Sequence, residues 1–457
     1  MSMHILSQYH VEQTDLRELY QGLQHRPRQH LAEARQFLHS QLQKTAPHLA
    51  ELPSNPADLE PHILRNNAHT ARAYRDYLSS RKQGQPRRYF RNRAHALYFL
   101  RNVAATKLVD GAWLYGVLEL HHDPRMHDLV RTYLEELGNG QPDQNHVLIY
   151  KQLLASQDIQ DVESLPADRF IQGTLQLALG HLTDDFLPEV IGYNLGYEQL
   201  PLHLLITTYE LTELGLDPHY FRLHITIDNA STGHARRAAR AVLENLPSDA
   251  QLQAFYRRVK RGYQLNEQGV SSTQVIDEFN IDSELCRVLE KKAQVARHMH
   301  ADRCRIDGRT INEWLDSSGQ IPGLLDALQK NGWIRRHQDP ADSRFWRLIT
   351  SDRAPMFGVF SDYELQLLHD WIAGEWQCTA PNRRPARRNS LSESRADTMT
   401  SESHRQEEVT LQKKLSTLPE GERNRHLIDL MAPSRHFTPE GLAATRLFAR
   451  NVIANSW

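Results

Sequence analysis

The sequence predicts an all-α protein, a helical bundle followed by a smaller C-terminal region of mixed structure. Its 457 residues include only 22 glycines and 21 prolines, and residues that favour helices are frequent. Between residues 91 and 245 apolar side chains recur at spacings of three and four, as they do along one face of a helix. Two segments of this region, 170–180 and 201–209, are largely apolar, which is typical of inner helices. We therefore expect the bundle to lie within residues 91–245.

The length of the chain suggests several domains, and changes in composition give their boundaries. Residues from about 381 to 408 are poor in apolar side chains and rich in arginine and serine, which indicates a flexible linker. The predicted units are a helical N-terminal extension (1–90), the bundle (91–245), an accessory domain (246–376), the linker (377–408) and a C-terminal helical segment (409–457).

Composition predicts a soluble, cytoplasmic protein with no membrane association. Apolar residues make up 40% of the chain and charged residues 24%, as in ordinary globular proteins. The formal net charge of -2 gives no global attraction to nucleic acid, so we do not expect nucleic acid as a partner. Three widely spaced cysteines favour a reducing compartment over a disulfide framework. We find neither a secretory signal pattern nor a run of roughly 18 apolar residues that could span a bilayer.

A helix end, a turn and a helix start are predicted between Glu136 and His146. The amphipathic run before Glu136 should end at Gly138-Asn-Gly140, because glycine and asparagine accept the left-handed conformation found at helix C-termini. Pro142 and Asp143 are typical of the first turn of the next helix, and Asp143 shares a face with His146. Glu136 and His146 could thus be paired ligands on two consecutive helices. The other interpretation is an exposed helix end followed by a capping or surface histidine.

His224 and Asp228 lie four residues apart in an apolar segment, so they share one face of a predicted inner helix. A buried aspartate needs a cation or several hydrogen-bond donors to offset its desolvation. A metal ion and a satisfied core His–Asp pair are both adequate explanations. His234 lies off this face in an ideal helix and would need a kink near Gly233 to join it.

Glu189 is a further candidate ligand, and two other acidic residues are weaker ones. Glu189 follows Pro188 in an apolar stretch where a lone carboxylate would be costly. Glu198, about two turns further on, is an alternative to it. Asp110 begins an apolar segment, where a capping role is the usual one.

Carboxylates combined with imidazoles form the ligand mixture that suits Fe(II) and Mn(II) in oxygen chemistry. Structural zinc sites favour cysteine, and magnesium or calcium sites seldom use histidine. The pattern therefore indicates a non-haem metal enzyme that activates dioxygen.

Taken together, these residues resemble the haem-oxygenase-like non-haem di-iron oxidases and oxygenases, also described as iron-containing redox enzymes. Members carry Glu-x-Gly-x-Gly leading to a histidine, then a lone glutamate, then His-x-x-x-Asp on a late helix. The matching residues here, in that order, are Glu136, His146, Glu189, His224 and Asp228. The chain departs from some members in having Asp143 where they have glutamate and Ser231 where they have a histidine. Asp110, Asp143 and His234 are second-rank ligands on this basis.

The resemblance implies a seven-helix, haem-oxygenase-like fold that binds two irons per chain, as Fe(II) or Fe(III), and uses dioxygen as co-substrate. It also implies a small-molecule substrate, an amine or amino-acid-derived metabolite of natural-product biosynthesis, oxidised by N-oxygenation or by oxidative C–C cleavage. An external electron donor is compatible with this chemistry. Oxidative decarboxylation of a fatty acid is the alternative within the family.

The C-terminal region suggests a function of another class. Residues 324–350 have the pattern of a helix, a strand, a basic hairpin and a return strand at Leu348-Ile-Thr350, which is similar to a winged helix. Arg335 and Arg344 would then contact phosphates in a ligand-sensing transcriptional regulator. Interspersed acidic residues and the lack of a basic recognition helix favour instead a structural cap or a dimerisation module, which would make the protein a homodimer. A catalytically inactive scaffold is the third alternative.

Overall fold

The computed structural model describes residues 15–45, 52–227, 233–248, 250–317, 319–351, 353, 356–376 and 406–454. Helices dominate these residues, and the predicted all-α class is confirmed. The α-helices are Leu16–His25 (α1), Pro27–Lys44 (α2), Leu59–Lys82 (α3), Arg93–Asn102 (α4), Ala104–Lys107 (α5), His127–Glu136 (α6), His146–Ser156 (α7), Ile171–His181 (α8), Thr183–Tyr197 (α9), Leu202–Glu213 (α10), His219–Ile227 (α11), His234–Glu244 (α12), Leu252–Gln264 (α13), Ser272–Asp277 (α14), Ile281–Ala296 (α15), Ile311–Leu315 (α16), Ile321–Lys330 (α17), Arg344–Thr350 (α18), Asp362–Ala373 (α19), 406–416 (α20), Glu420–Leu430 (α21) and Pro439–Ala454 (α22).

Shorter elements connect these helices. A two-stranded antiparallel ribbon pairs Arg305–Ile306 (β1) with Arg309–Thr310 (β2), with Arg305 opposite Thr310. The 3-10 helices are Pro56–Asp58, Ala112–Leu120, Pro124–Met126, Gly138–Gly140, Val162–Ser164, Ala167–Phe170, Leu265–Glu267 and Pro340–Asp342. Within the described residues, no helix is both long enough and apolar enough to cross a membrane.

The largest hydrophobic core draws on both ends of the chain as well as on the predicted bundle. Its centre consists of α6, α8, α9, α12, α13 and the 3-10 helix at 112–120, with Trp113, Tyr133 and Tyr193 buried in it. Leu23 and Leu38 come from α1 and α2, and side chains of α21 and α22 complete it. The N-terminal and C-terminal helices are therefore parts of the bundle's packing and do not stand apart from it.

A second core lies in the accessory region, where α15, α17 and α19 pack around Trp314, Trp346 and Trp371. It meets the bundle at α4, because Ala94 belongs to this core and its backbone N–H donates to Asp370 Oδ2 at 2.7 Å. The domain boundaries themselves stay predictions.

The predicted wing is wrong. The helix expected from Leu324 is present as α17, but the return strand expected at 348–350 belongs to α18. Trp346 and Ile349, three residues apart, are both buried on one face of α18, which a strand would not allow. The guanidinium of Arg344 lies 3.9 Å from the Trp333 ring centre, so this arginine serves packing within the unit.

The C-terminal helices α21 and α22 pack against the turn between α6 and α7. Tyr133 Oη donates to the Met431 carbonyl at 2.8 Å, and Arg446 Nη1 donates to the Gly140 carbonyl at 2.5 Å. Gly140 has φ +78°, and a Cβ there would lie 2.4 Å from the Leu442 carbonyl oxygen. Glycine is thus required at this close approach of two backbones. The segment 406–454 therefore supports the turn that leads into α7.

Candidate metal centre

The turn between α6 and α7 brings Glu136 and His146 together, as the sequence predicts. Glu136 is the last residue of α6, and Gly138 follows with φ +63°. A Cβ on Gly138 would lie 2.5 Å from the backbone nitrogen of Asn145, so the tight turn requires glycine. The Asn145 side chain then accepts the Leu148 N–H at 3.0 Å and caps α7, which His146 begins.

Asp110, Glu136, His146 and His224 form what we call the first cluster, in which one ligand atom of each residue lies within 4.8 Å of the others. His146 Nδ1 is 2.6 Å from Glu136 Oε2 and 3.8 Å from Asp110 Oδ2. His224 Nε2 is 3.2 Å from Asp110 Oδ2. The first three side chains are buried, and that of His224 is 11% exposed. Four ligand atoms therefore converge on one small, dry volume.

Several buried atoms of these ligands have no hydrogen-bond partner among the described residues. They include Glu136 Oε2 and both ring nitrogens of His146. The 2.6 Å separation between His146 Nδ1 and Glu136 Oε2 is short, but its direction is not that of a hydrogen bond. Unpaired buried acceptors are costly, whereas atoms that converge side by side are arranged as metal ligands are. The residues present thus fit a bound metal ion.

His224 presents a defined nitrogen to the first cluster. Its Nδ1 lies 2.9 Å from the Tyr220 carbonyl oxygen, an acceptor, so Nδ1 carries the donated proton. Nε2 lies 3.2 Å from Asp110 Oδ2 and hydrogen-bonds to it, and a metal ion that replaced this proton would bind Nε2 and leave the ring protonated on Nδ1 alone. This tautomer is the one that a metal ligand requires.

Glu136, Glu198 and His234 form the second cluster. His234 Nδ1 is 2.7 Å from Glu198 Oε2 and 3.8 Å from Glu136 Oε1, and all three side chains are buried. Glu198 Oε1 also lacks a hydrogen-bond partner among the described residues. Because Glu136 belongs to both clusters through its two oxygens, one carboxylate can contact two ions.

Polar and aromatic side chains surround Asp110. Tyr197 Oη donates to Asp110 Oδ1 at 2.8 Å, and Tyr220 Oη donates to Oδ2. Lys107 Nζ donates to Tyr197 Oη at 3.1 Å. Burial raises the pKa of the Asp110 carboxyl, but the Lys107 charge and the hydrogen bond to His224 outweigh it and lower that pKa below its ordinary value. Asp110 is therefore held as a carboxylate.

Carboxylates also control the protons of the two buried histidines. Burial lowers the pKa of His146, but the Glu136 carboxylate outweighs burial and raises it above the ordinary value. The pKa of His234 rises to about 11, since Glu198 and Glu135 outweigh the opposing effect of burial. Burial raises the pKa of Glu198. A metal ion entering either cluster therefore has to displace bound protons.

Of the eight sequence-predicted ligands, five meet in the two clusters: Glu136, His146, His224, Asp110 and His234. Asp228 lies outside the described residues. Asp143 is exposed, and its backbone carbonyl accepts a hydrogen bond from His219 Nε2 at 2.9 Å. It takes no part in either cluster.

Glu189, which the sequence predicts as a metal ligand, belongs to neither cluster. Its two oxygens accept hydrogen bonds from Arg258 on α13, at 2.7 Å from Nε and 2.5 Å from Nη2. The ion pair, and not a metal, offsets its burial. Glu198 lies nine residues later, which is about two and a half turns and therefore the opposite side of α9. The two glutamates cannot face the same site.

The sequence predicts Glu198 only as an alternative ligand to Glu189, although one feature of the sequence favours it. Ile191, Asn194 and Leu195 precede it by seven, four and three residues, so it continues a buried helical face. Asp110 and His234 are only second-rank ligands in the sequence analysis because their local backbone conformation is hard to predict. Asp110 lies in a turn before a 3-10 helix, and His234 begins the new helix α12 and does not extend α11.

Comparison with known proteins gives one match. Residues 97–267 match a family described as iron-containing redox enzyme, a span that includes every member of both clusters. No curated protein and no solved structure matches the chain.

Proposed function

We propose that this chain is a non-haem di-iron oxidase or oxygenase that uses dioxygen. The match over residues 97–267 supports an oxidoreductase of the haem-oxygenase-like, iron-containing redox enzyme family. The observation that carries the proposal is the position of Glu136, whose two oxygens belong to two adjoining clusters of buried carboxylates and imidazoles. A shared carboxylate is what holds two ions close enough to act on one molecule.

The proposed ligands divide between two ions. Asp110, His146 and His224 would hold the first ion, and Glu198 and His234 the second. Glu136 would serve both ions. Asp228, four residues after His224 in the sequence, stays a proposed additional ligand.

Bound iron would supply the electrons and the open coordination positions that the reduction of dioxygen requires. The protein's part is to orient the ligands and to keep water away. Tyr197 and Tyr220 fix both oxygens of Asp110. The His146 ring lies 4.4 Å from that of His224, centre to centre, which restricts the rotation of both rings.

The ligand arrangement favours individual ions over a haem. A haem needs one axial histidine facing a flat space as wide as a porphyrin. Here three residues from three other elements crowd the His146 ring within 4.8 Å of its ligand atom. Tyr220 packs edge-on at 6.1 Å between ring centres.

The substrate part of the proposal is oxidation of an amine or amino-acid-derived metabolite in natural-product biosynthesis, and it follows the family resemblance. One side chain supports a substrate that carries a carboxylate. Lys107 Nζ lies between Tyr197 and Tyr220, 5.3 and 5.6 Å from their ring centres, and makes no ion pair within 4 Å among the described residues. An ammonium placed there can bind an incoming carboxylate next to the first cluster.

The test is anaerobic addition of Fe(II) to the full-length apo-protein, followed by iron analysis and exposure to oxygen in a stopped-flow spectrometer. We expect about two irons per chain and rapid oxygen uptake. Glu136→Gln should reduce the iron content of both clusters, and His224→Ala that of the first. Haem added in a parallel sample should not bind specifically.

Asp143→Asn is the matched control, because Asp143 is exposed and lies next to the same turn without belonging to a cluster. It should retain both irons. Equal iron retention in Glu136→Gln and Asp143→Asn would refute the shared-carboxylate proposal, as would wild-type protein that retains no iron.

The substrate is tested with the iron-loaded protein and a panel of amino acids, their methyl esters and fatty acids. Faster oxygen consumption with amino acids than with their esters would support carboxylate binding, and Lys107→Met should abolish that difference. A response to fatty acids alone would establish the decarboxylase alternative.

A further inference from the structure

The His234 ring has carboxylates at both of its nitrogens. Nδ1 faces Glu198 Oε2 at 2.7 Å and Glu136 Oε1 at 3.8 Å, inside the second cluster. Nε2 points the other way and lies 2.6 Å from Glu135 Oε2. The ring is 1% exposed, so water does not compete for either nitrogen.

The two edges of this ring have different chemical roles in a metal site. A ligating imidazole uses one nitrogen for the ion and usually donates its other N–H to a carboxylate or a carbonyl. Nδ1 is the nitrogen that faces the ligand atoms of Glu136 and Glu198. Nε2 is therefore the donor, and Glu135 is its acceptor.

Glu135 is itself held in place. It accepts a hydrogen bond from Arg237, which lies one turn after His234 on α12, and another from Arg131 Nε at 3.1 Å. Its side chain is 19% exposed, compared with 68% for Arg131. Adjacent residues on a helix point about 100° apart, so Glu135 and Glu136 on α6 approach the same imidazole from its two sides.

We infer that Glu135 is a positioning residue for the second ion: it accepts a hydrogen bond from the His234 Nε2–H and thereby directs the Nδ1 lone pair at that ion. The inference rests on the proposed di-iron function and extends it to a residue that is not itself a ligand. It predicts that Glu135 governs the second ion and leaves the first ion unaffected.

Another explanation is that His234 is only a charged centre that holds three carboxylates together without a metal. In that case removing Glu135 would disturb the packing of α6 against α12, and metal affinity would fall equally at both clusters. The two explanations therefore differ in which binding step changes.

The experiment is an anaerobic titration of the full-length apo-protein with Co(II), followed by its ligand-field absorption and by competition with a chelator. Co(II) reports the number of ions, their affinities and their coordination geometry without turnover. Wild-type protein should bind two ions. Glu135→Ala should bind the first with unchanged affinity and the second about 10- to 100-fold more weakly, with an altered spectrum.

Glu135→Gln is the conservative variant, because its amide oxygen can still accept a hydrogen bond from the Nε2–H. It should restore the second binding step close to the wild-type value. Arg131→Ala removes an exposed partner of the same carboxylate and should leave both steps unchanged. Binding of the first ion shows in every variant whether the bundle is folded.

Unchanged affinity and spectrum for the second ion in Glu135→Ala would overturn the inference. So would the loss of both binding steps, or a Glu135→Gln variant as weak as Glu135→Ala. Wild-type protein that binds fewer than two ions would overturn the di-iron proposal itself, and this result is visible before any variant is compared.

Discussion

Replacement of Gly140 by alanine tests whether the C-terminal helices hold the turn between Glu136 and His146. The new Cβ would lie 2.4 Å from the Leu442 carbonyl oxygen and 2.6 Å from Arg446 Cγ, where ordinary contact begins at 3.4 Å. Either the turn or α22 must then move by roughly 1 Å, because atoms at such distances repel steeply. The movement would break the hydrogen bond from Arg446 to the Gly140 carbonyl.

The expected decrease in the free energy of unfolding has two parts. A left-handed conformation with φ +78° costs alanine about 1–2 kcal/mol. Loss of a hydrogen bond to a charged guanidinium adds about 1.5–3 kcal/mol. We therefore expect Gly140→Ala to lower the free energy of unfolding by about 2.5–5 kcal/mol.

Gly84→Ala is the matched control. Gly84 has φ +83° but no atom of the described residues within 4 Å of its Cβ position, so alanine there meets only the conformational cost. Denaturant unfolding compares the two variants, and amide hydrogen exchange of residues 439–454 locates the change. If Gly140→Ala is no less stable than Gly84→Ala and exchange in α22 is unaltered, the reasoning is refuted.

Three further predictions concern charge. Because neighbouring carboxylates outweigh burial and raise the pKa of His234 to about 11 from 6.5, its proton stabilises the apo-protein most below pH 6.5, and this stability declines as the pH rises toward 11. Metal must displace that proton, so Co(II) affinity measured between about pH 6 and 8 should rise up to about tenfold per unit for each proton released. Lys107→Met should raise the pKa of Asp110 and weaken the first Co(II) step in acid more than at neutral pH, and equal weakening at both would contradict this electrostatic role. Arg258→Met leaves the buried Glu189 carboxylate without its charged partner, so the free energy of unfolding should fall by about 1–3 kcal/mol and the melting temperature with it, while the iron content stays the same. A loss of iron in this variant would instead indicate that Glu189 is a metal ligand.

The fold class and half of the candidate site follow from short-range patterns. Glycine spacing predicts the turn that joins Glu136 to His146, and apolar spacing predicts the inner helix of His224. Both depend on residues within about two helical turns of each other, which is the range over which sequence periodicity is informative.

The predictions that differ from the structure depend on contacts between residues that are far apart in the sequence. Glu189 is buried and costly, as its apolar neighbours suggest, but its partner Arg258 is 69 positions away and on another helix. His234 is the first residue of α12, after the extended Gly233, and its place in the second cluster does not follow from the periodicity of α11. Residues 344–350 are as compatible with a strand as with α18 until the packing of Trp346 decides between them.

The docking of α21 and α22 has a consequence for the order in which the protein assembles. Every ligand of both clusters lies between residues 110 and 234, yet the turn that carries two of them is held by side chains and carbonyls from residues 431–446. During synthesis the ligands therefore leave the ribosome roughly 200 residues before their support does, and domains tend to fold as they emerge. We expect the centre to acquire its full affinity for metal only after residues 431–446 have emerged and packed against the turn, so that chains without α21 and α22 would bind iron weakly.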